Sequence, residues 1–471
     1  MAAETDAARR PNVVLINCDD LGYGDLGCYG STANKTPTLD RLAAEGVRFD
    51  SFYMASPVCS PSRGALLTGC YPPRIGFGSF DGLPVLFPGQ AMGLPDTEVS
   101  LGALLSSAGY RTQMIGKWHC GDQPAFLPTN HGFDHYLGLP YSNDMGRQAP
   151  PTSGPFAPAP GKEPFWLCPL PLLLDDEVIE QQPDQSSLTE RYVVEAVRFL
   201  RDARDDPFFL YLAHLYVHVP LYVQERFARR SGNGAYGAAV ESIDWATQVV
   251  LHELRSLGLE DDTIVIFTSD NGSRGVDGGS NLPLRGAKTT TWEGGMRVPC
   301  IVRWPGRVDP GRVTGEVATA MDLYPTLAAL CGAGLPTDRT IDGRDITPLL
   351  LRDDATSPHE AFFYYWMNDL EAVRAGRWKL HLAKHGVVRR ELYDLEADPG
   401  ETTDLAAEHP EVMAALEEHA ERARASTGDA LQGRIGDDVR PVGRAEGPRT
   451  LTTYDPEHPY YLAEYDLTDR G

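Results

Sequence analysis

At 471 residues the chain is long enough for two or three domains and a large buried α/β core. Its 66 acidic side chains outnumber 42 basic ones, and the formal charge of −24 argues against nucleic acid and other polyanions, which need a basic footprint. No stretch has the apolar length of a membrane span, so no membrane partner is expected. A small anionic substrate stays possible, because cations gathered in a cleft outweigh the global field.

In chain order, residues 1–10 lack an apolar export segment and are expected to form a disordered lead, with the protein in a bacterial-type cytoplasm. The eight cysteines, at 18, 28, 59, 70, 120, 168, 300 and 331, show no pairwise spacing and are expected as reduced thiols. Val13 to Asn17 predicts a strand buried on both faces of a parallel sheet, with Asp19 and Asp20 directly after it. Helices are predicted over Thr38 to Glu45, closed by Gly46, and over Val99 to Ala108, closed by Gly109. Between them, Pro61 fits the first turn of a helix, where its missing N–H costs nothing. Gly64 to Thr68 continue that turn until Gly69 stops it. Residue 59 then lies at a helix N-terminus, where free N–H groups favour an anion, and Arg63 adds a planar cation one turn along.

Tyr110 to Ile115, Phe208 to Ala213 and Thr263 to Thr268 read as further strands, and Ser187 to Ala203 and Gly237 to Leu257 as helices. This alternation predicts an α/β fold: a large, mostly parallel sheet with helices on both faces. Gln148 to Pro171 is rich in Pro, Gly and Ala and predicts an irregular loop that, up to about Ser187, covers the mouth of a site. The polar break Arg352 to Pro358 sets the expected boundary of a main domain, 11–355. A smaller α+β domain, 356–425, follows, with a short antiparallel sheet over Ala361 to Tyr365, Glu371 to Ala375 and Trp378 to Leu382 and a helix over Glu411 to Ala425. Residues 426–471 read as an irregular tail, and no internal repeat is present.

Asp19-Asp20 and Asp270-Asn271 each follow an apolar strand, and sites in open α/β sheets form beyond the carboxyl ends of strands. Three carboxylates and an amide meeting there suit Ca²⁺, or Mg²⁺, rather than zinc. Taken singly, each pair is equally well a turn or cap, Cys59 a buried thiol, and a lone His or Lys a packed or solvated side chain.

The order of motifs changes that weighting. Cys59-Ser60-Pro61-Ser62-Arg63 continues through Leu67-Thr68-Gly69, and the run resembles the C-x-P-S-R-x-x-x-L-T-G signature of the type I, formylglycine-dependent sulfatases, members of the alkaline-phosphatase superfamily. Both acidic pairs match that family, in Asn17 to Asp25 and in Thr268 to Gly272. Gly116-Lys117-Trp118-His119 resembles its G-K-W-H-L-G, with Cys120 in place of leucine, and Gly286 to Gly295, which holds Lys288, resembles G-x-K-x-T-x-(Y/W)-E-G-G. His218, before Val219-Pro220, matches its H-x-P histidine, and Ser142 matches a sulfate-contacting serine of the arylsulfatase A-like branch. Glu391 to Glu401 resembles a C-terminal family segment, read here as a strand and turn without chemistry. The likeness runs from Pro11 to about Leu405. The second pair is Asp-Asn rather than Asp-His, which favours one oxygen-ligated metal over the two zinc ions of phosphatase relatives.

The resemblance implies hydrolysis of a small-molecule sulfate ester, with Cys59 converted to formylglycine by a formylglycine-generating enzyme and one Ca²⁺ (or Mg²⁺) on Asp19, Asp20, residue 59, Asp270 and Asn271. It implies that Arg63, Lys117 and Lys288 supply positive charge, with Ser142, Lys117 and Lys288 on the sulfate. Attack at sulfur then leaves a covalent sulfoenzyme, with Asp270 as proton acceptor and His218 and Lys288 protonating the leaving alcohol. His119 takes the second hydroxyl's proton and expels sulfate. The rival readings are a phosphonate or phosphate ester hydrolase with the same nucleophile, and a metal- or anion-binding protein with unmodified Cys59. Phe165 and Trp166 in the Pro-rich loop favour a hydrophobic or aromatic alcohol; the natural substrate and oligomeric state are not legible in the sequence.

Overall fold

The computed structural model describes residues 10–146, 168–455, 457–458 and 460. The expected lead over residues 1–9, the loop segment 148–167 with Phe165 and Trp166, and residues 461–471 of the tail lie outside the described residues. The strands in chain order are β1 (Asn12–Cys18), β2 (Val47–Tyr53), β3 (Met92–Gly93), β4 (Arg111–Gly116), β5 (His135–Gly138), β6 (Pro171–Leu174), β7 (Glu177–Gln181), β8 (Phe208–Ala213), β9 (Thr263–Ser269), β10 (Arg297–Arg303), β11 (Arg312–Thr314) and β12 (Ala318–Thr319). All but β3 join one sheet, ordered β11-β2-β10-β9-β1-β8-β4-β5-β6-β7, with β12 beside β2.

The sheet centre, β9-β1-β8-β4-β5, is parallel, as the unbroken apolar runs require; antiparallel β10 on one side and β6 and β7 on the other flank it. Along β1, Val13 and Leu15 enter one core while Val14 and Ile16 enter another. The first core is closed by the helices Cys59–Thr68, Leu101–Ser107 and Leu323–Cys331, the second by Pro37–Ala44, Gln185–Asp202 and Gly234–Ser256. Helices therefore cover both faces. The Leu101–Ser107 helix starts two residues later than its periodicity implies, because the Ser100 hydroxyl caps it by accepting the Ala103 N–H at 3.0 Å. Gly69 closes the Cys59–Thr68 helix in a left-handed conformation (φ 70°). Gly46 has a different reason: a Cβ there would sit 2.2 Å from the Val302 carbonyl oxygen.

A second sheet is antiparallel in the order β13 (Phe362–Trp366), β14 (Asp369–Ala375), β15 (Trp378–Lys384) and β16 (Val387–Asp394), with the Pro410–Ser426 helix against it. Beyond it, β17 (Gly428–Asp429) pairs with β18 (Arg434–Ile435), and β19 (Gly443–Arg444) returns to pair with β3. No helix among the described residues is long and apolar enough to cross a membrane.

The second sheet does not stand apart from the first. Tyr53, Ala65, Met296 and Met321 share a core with Tyr364, Val373, Leu380 and Leu416. At its centre the fully buried Lys379 ammonium donates at 2.9 Å to the Thr291 carbonyl and pairs at 2.9 Å with both Glu293 and Glu401. Tyr364 also donates to Glu293, at 2.7 Å, and His381 lies 2.9 Å from Glu401. Burial pushes the Glu293 carboxyl up, but Lys379, Arg374 and Arg297 outweigh it and hold it at about 2. Burial instead prevails at Glu401, which rises to about 7 despite Lys379.

Removing one partner of a buried ion pair leaves a charge uncompensated, at about 3–5 kcal/mol. Lys379→Met should therefore lower stability by about that amount in denaturant unfolding, with a partial recovery in Lys379→Met/Glu401→Gln. A loss below about 1 kcal/mol, the range of a surface pair, would show that this cluster does not hold the two sheets together.

Candidate active site

The two acidic pairs meet because β1 and β9 are parallel and in register. Cys18 lies opposite Ser269, so Asp19-Asp20 and Asp270-Asn271 leave neighbouring strand ends side by side. On the other side of β1, β8 leads to His218, and β4, beside β8, ends at Gly116, next to Lys117 and His119. Four adjacent strands thus deliver their carboxyl ends to one place. The Cys59–Thr68 helix supplies residue 59 as its first residue, with Cys59 Sγ 3.4 Å from Asp19 Oδ1. Ligating atoms of Asp19, Asp20, Cys59 and Asp270 all lie within 4.8 Å of one another.

Each carboxylate has a cation. Lys117 Nζ lies 2.6 Å from Asp19 Oδ2, Lys288 Nζ 2.9 Å from Asp20 Oδ2, and the Arg63 guanidinium 2.7 Å from Asp270 Oδ2. Arg63 also donates to the Lys117 carbonyl at 2.7 Å, tying the Cys59–Thr68 helix to the β4 end. All six groups are buried. Three negative charges against three positive ones leave the cluster neutral, so one divalent cation makes it +2, a site for an anion.

The residues present fit such a cation. Asn271 Nδ2 donates to Asp20 Oδ1 at 2.7 Å, while Asn271 Oδ1 is buried without a hydrogen-bond partner among the described residues. An unpaired amide oxygen beside three carboxylates is a hard-donor set suited to Ca²⁺ or Mg²⁺. Asp19, Asp20, Asp270 and Asn271 would hold the ion, next to residue 59.

Burial pushes the Asp20 carboxyl up, but Lys288, His218 and Asn271 prevail and hold it at about 2. Burial and then Asp19 push Asp270 up to about 6, against Arg63 and Lys117. Burial lowers the Lys288 and Lys117 ammoniums, yet Asp20 and Asp19 respectively overcome it and keep both charged. Burial and Lys288 depress His218 to about 4, and burial with Lys117 keeps His119 well below its usual value, so both imidazoles are neutral near pH 7. Burial and Asp19 raise the Cys59 thiol well above its ordinary value.

The sequence-derived residues all converge here. Ser142 Oγ stands 3.1 Å from Lys117 Nζ and 3.3 Å from His218 Nε2. His218 Nδ1 lies 2.6 Å from the Val219 carbonyl, which fixes the N–H there and leaves Nε2 for the site. His119 Nε2 lies 2.9 Å from the Leu86 carbonyl, and its buried Nδ1 has no partner among the described residues. Of the two expected proton donors, His218 is held neutral at Nε2 while Lys288 stays charged. Asp20 (φ 62°), His119 (φ 60°) and Thr289 (φ 72°) are left-handed, a strain of about 1–3 kcal/mol each that collects at the site.

Sequence reasoning missed the supports. Ser269 Oγ accepts the Leu21 N–H at 2.9 Å and donates to the Asn271 carbonyl at 3.0 Å, bracing both acidic loops. Its place at the end of β9 before Asp270-Asn271 was the available signal. Leu86 lies in a loop with no motif, and nothing in its sequence marks its carbonyl.

Comparison with known proteins places the chain among enzymes of one kind. The sulfatase family profile matches residues 11–333, and the profile described as N-sulphoglucosamine sulphohydrolase, C-terminal, matches residues 287–426. Human arylsulfatase A is 43% identical over 455 residues, covering 89% of this chain and 88% of its own. Mouse steryl-sulfatase is 39% identical over 521 residues, covering 89% and 83%. The solved PsFucS1 sulfatase of Pseudoalteromonas sp. superposes with a TM-score of 0.77 at 29% identity, over 88% of this chain and 90% of its own.

If the buried carboxylates and Asn271 hold a cation, Ca²⁺ added to chelator-treated protein at about 100 times its dissociation constant should stabilise it by about 2.7 kcal/mol. Asn271→Leu should remove most of that gain in thermal unfolding. Equal melting with and without Ca²⁺ and Mg²⁺ would sink the metal assignment.

Proposed function

Because this chain belongs to the sulfatase family, we propose that its sulfate-ester hydrolysis runs through the hydrated aldehyde made by oxidising Cys59, assisted by one divalent cation. The observation that carries this is the placement of residue 59 at a buried helix N-terminus inside the ring of three carboxylates and three cations. A formylglycine-generating enzyme is the maturation partner this reading requires.

Lys117, Lys288 and Ser142 bind and orient the sulfate oxygens, and Arg63 locks Asp270 and the Lys117 backbone in place. A cation bound by Asp19, Asp20, Asp270 and Asn271 would polarise a sulfate oxygen and acidify the hydrate. One hydroxyl of the hydrate loses its proton to Asp270 and attacks sulfur as the ester S–O bond breaks. The leaving alcohol takes a proton from Lys288, with His218 beside it. Residue 59 then carries sulfate. His119, held neutral with Nδ1 unpartnered among the described residues, accepts the proton of the second hydroxyl; the bond from carbon to the sulfate oxygen breaks, and the aldehyde re-forms. A plain cysteine has one nucleophilic atom and cannot make this elimination.

The substrate we favour is the sulfate of a small hydrophobic or aromatic alcohol. The relatives named for aryl and steryl sulfates support it, and the charge of −24 disfavours long polysulfated glycans.

In protein from its native host, the tryptic peptide Phe49 to Arg63 should show the mass loss of CH₂–SH becoming CHO. Turnover of an aryl sulfate should exceed that of the matching aryl phosphonate and of monosaccharide sulfates, and Lys117→Ala should lower kcat by about 10²–10³. Plain cysteine at residue 59 in active protein would overturn the nucleophile, and a preference for the phosphonate would overturn the substrate class.

A further inference from the structure

His119 is held by a loop rather than by its own strand. Its Nε2 lies 2.9 Å from the Leu86 carbonyl, and the Leu86 N–H donates at 3.1 Å to Ser60 Oγ, next to the nucleophile position. Leu86 thus joins residue 59's neighbour to the histidine and sets which ring nitrogen faces the site. Its loop is tied back to His119's own loop: the Gly89 N–H donates to Asp122 Oδ2 at 2.6 Å, and the Leu94 N–H to the Cys120 carbonyl at 2.8 Å.

What fixes Asp122 is Gln123, and what fixes Gln123 comes from 326 residues away. Gln123 Nε2 donates to Asp122 Oδ1 at 2.8 Å and to the Arg449 carbonyl at 3.0 Å, and its Oε1 accepts the Arg449 N–H at 3.1 Å. The same C-terminal segment grips the Leu86 loop directly. The Ala445 N–H donates to the Ala91 carbonyl at 2.7 Å, β19 pairs with β3, and Thr450 closes on Gly89, where a Cβ would meet its methyl at 2.9 Å. Its near end is anchored by Asp438 on Arg74 (2.9 Å) and Arg440 on Glu98 (2.5 Å), and Thr452 donates to the Pro169 carbonyl. Gln123, Asp122 and Thr452 are all buried.

We infer that residues 438–452 are a strap that positions His119 through Gln123, Asp122 and the Leu86 loop, so that Gln123 is a positioning residue for release of sulfate from residue 59. This rests on the mechanism proposed above. In that step the hydroxyl proton passes to His119 Nδ1, the bond from carbon to the sulfate oxygen breaks with its electron pair leaving on sulfate, and the carbonyl re-forms. A loosened strap misplaces Nδ1 while Lys117, Lys288 and Ser142 still bind the ester. Attack then proceeds and the second half slows.

The test uses the full-length, matured protein turning over an aryl sulfate, quenched for mass spectrometry of the Phe49 to Arg63 peptide. Gln123→Ala, and Arg449→Pro, which removes the N–H given to Gln123, should each lower kcat and KM together by about tenfold or more, leaving kcat/KM little changed. Both should accumulate the sulfated peptide above the wild-type level. Arg449→Ala keeps both backbone groups and should behave as wild type. A purely structural strap predicts fewer active molecules but no extra sulfated peptide, and that result, or unchanged kcat in Gln123→Ala, would overturn the inference. His119→Ala separates the two levels of the argument: it should trap the most sulfated peptide, and if it traps none while residue 59 is converted, the mechanism falls and the strap's role with it.

Discussion

Cys18 pairs with Ser269 in the parallel ladder of β1 and β9, and every charged group of the site is placed relative to that pair. Parallel strands in register end at the same level, so two short polar sequences 251 positions apart emerge as one donor set. An antiparallel pairing would send them to opposite edges of the sheet, and a one-residue slip would turn each side chain to the other face. The apolar strands hold the register because both faces of β1 and β9 are buried in separate cores.

Burying three carboxylates so close together is possible only with compensation. Lys117, Lys288 and Arg63 provide it one for one, and each is itself buried. In the proposed mechanism the same cations bind the sulfate, so the groups that make the buried carboxylates tolerable would also serve the substrate. A divalent ion would turn the neutral cluster positive. The buried Asn271 oxygen, unpaired among the described residues, is the observation that fits such an ion.

The C-terminal half serves the site at one remove. Lys379 reaches from the second sheet to the Thr291 carbonyl and Glu293, bracing the segment that carries Lys288. The segment beyond residue 438 braces the loops around His119. Neither contact touches the reacting atoms. Both sit behind a histidine or lysine that the proposed mechanism needs held to within about 0.5 Å.

Much of this was legible in the sequence. Uninterrupted apolar runs alternating with helical periods specify a parallel sheet with covered faces, and Pro61 and Gly69 bound the nucleophile helix through local backbone preference alone. The motif residues Asp19, Asp20, Cys59, Arg63, Lys117, His119, Ser142, His218, Asp270, Asn271 and Lys288 were nameable because their spacing matches a known family. Three things were not. The antiparallel flanks of the main sheet depend on which strands become neighbours. The neutral state of His218 depends on its burial and then on Lys288, 70 positions away in the chain. The tail read as irregular because its strands are two residues long, too short for any period; its order comes from partners such as Ala91 and Gln123 that only the folded chain brings to it. Sequence determined the elements and the reactive residue types, since these follow from local patterns. Tertiary structure decided their charges, tautomers and supports, since these depend on contacts between distant segments.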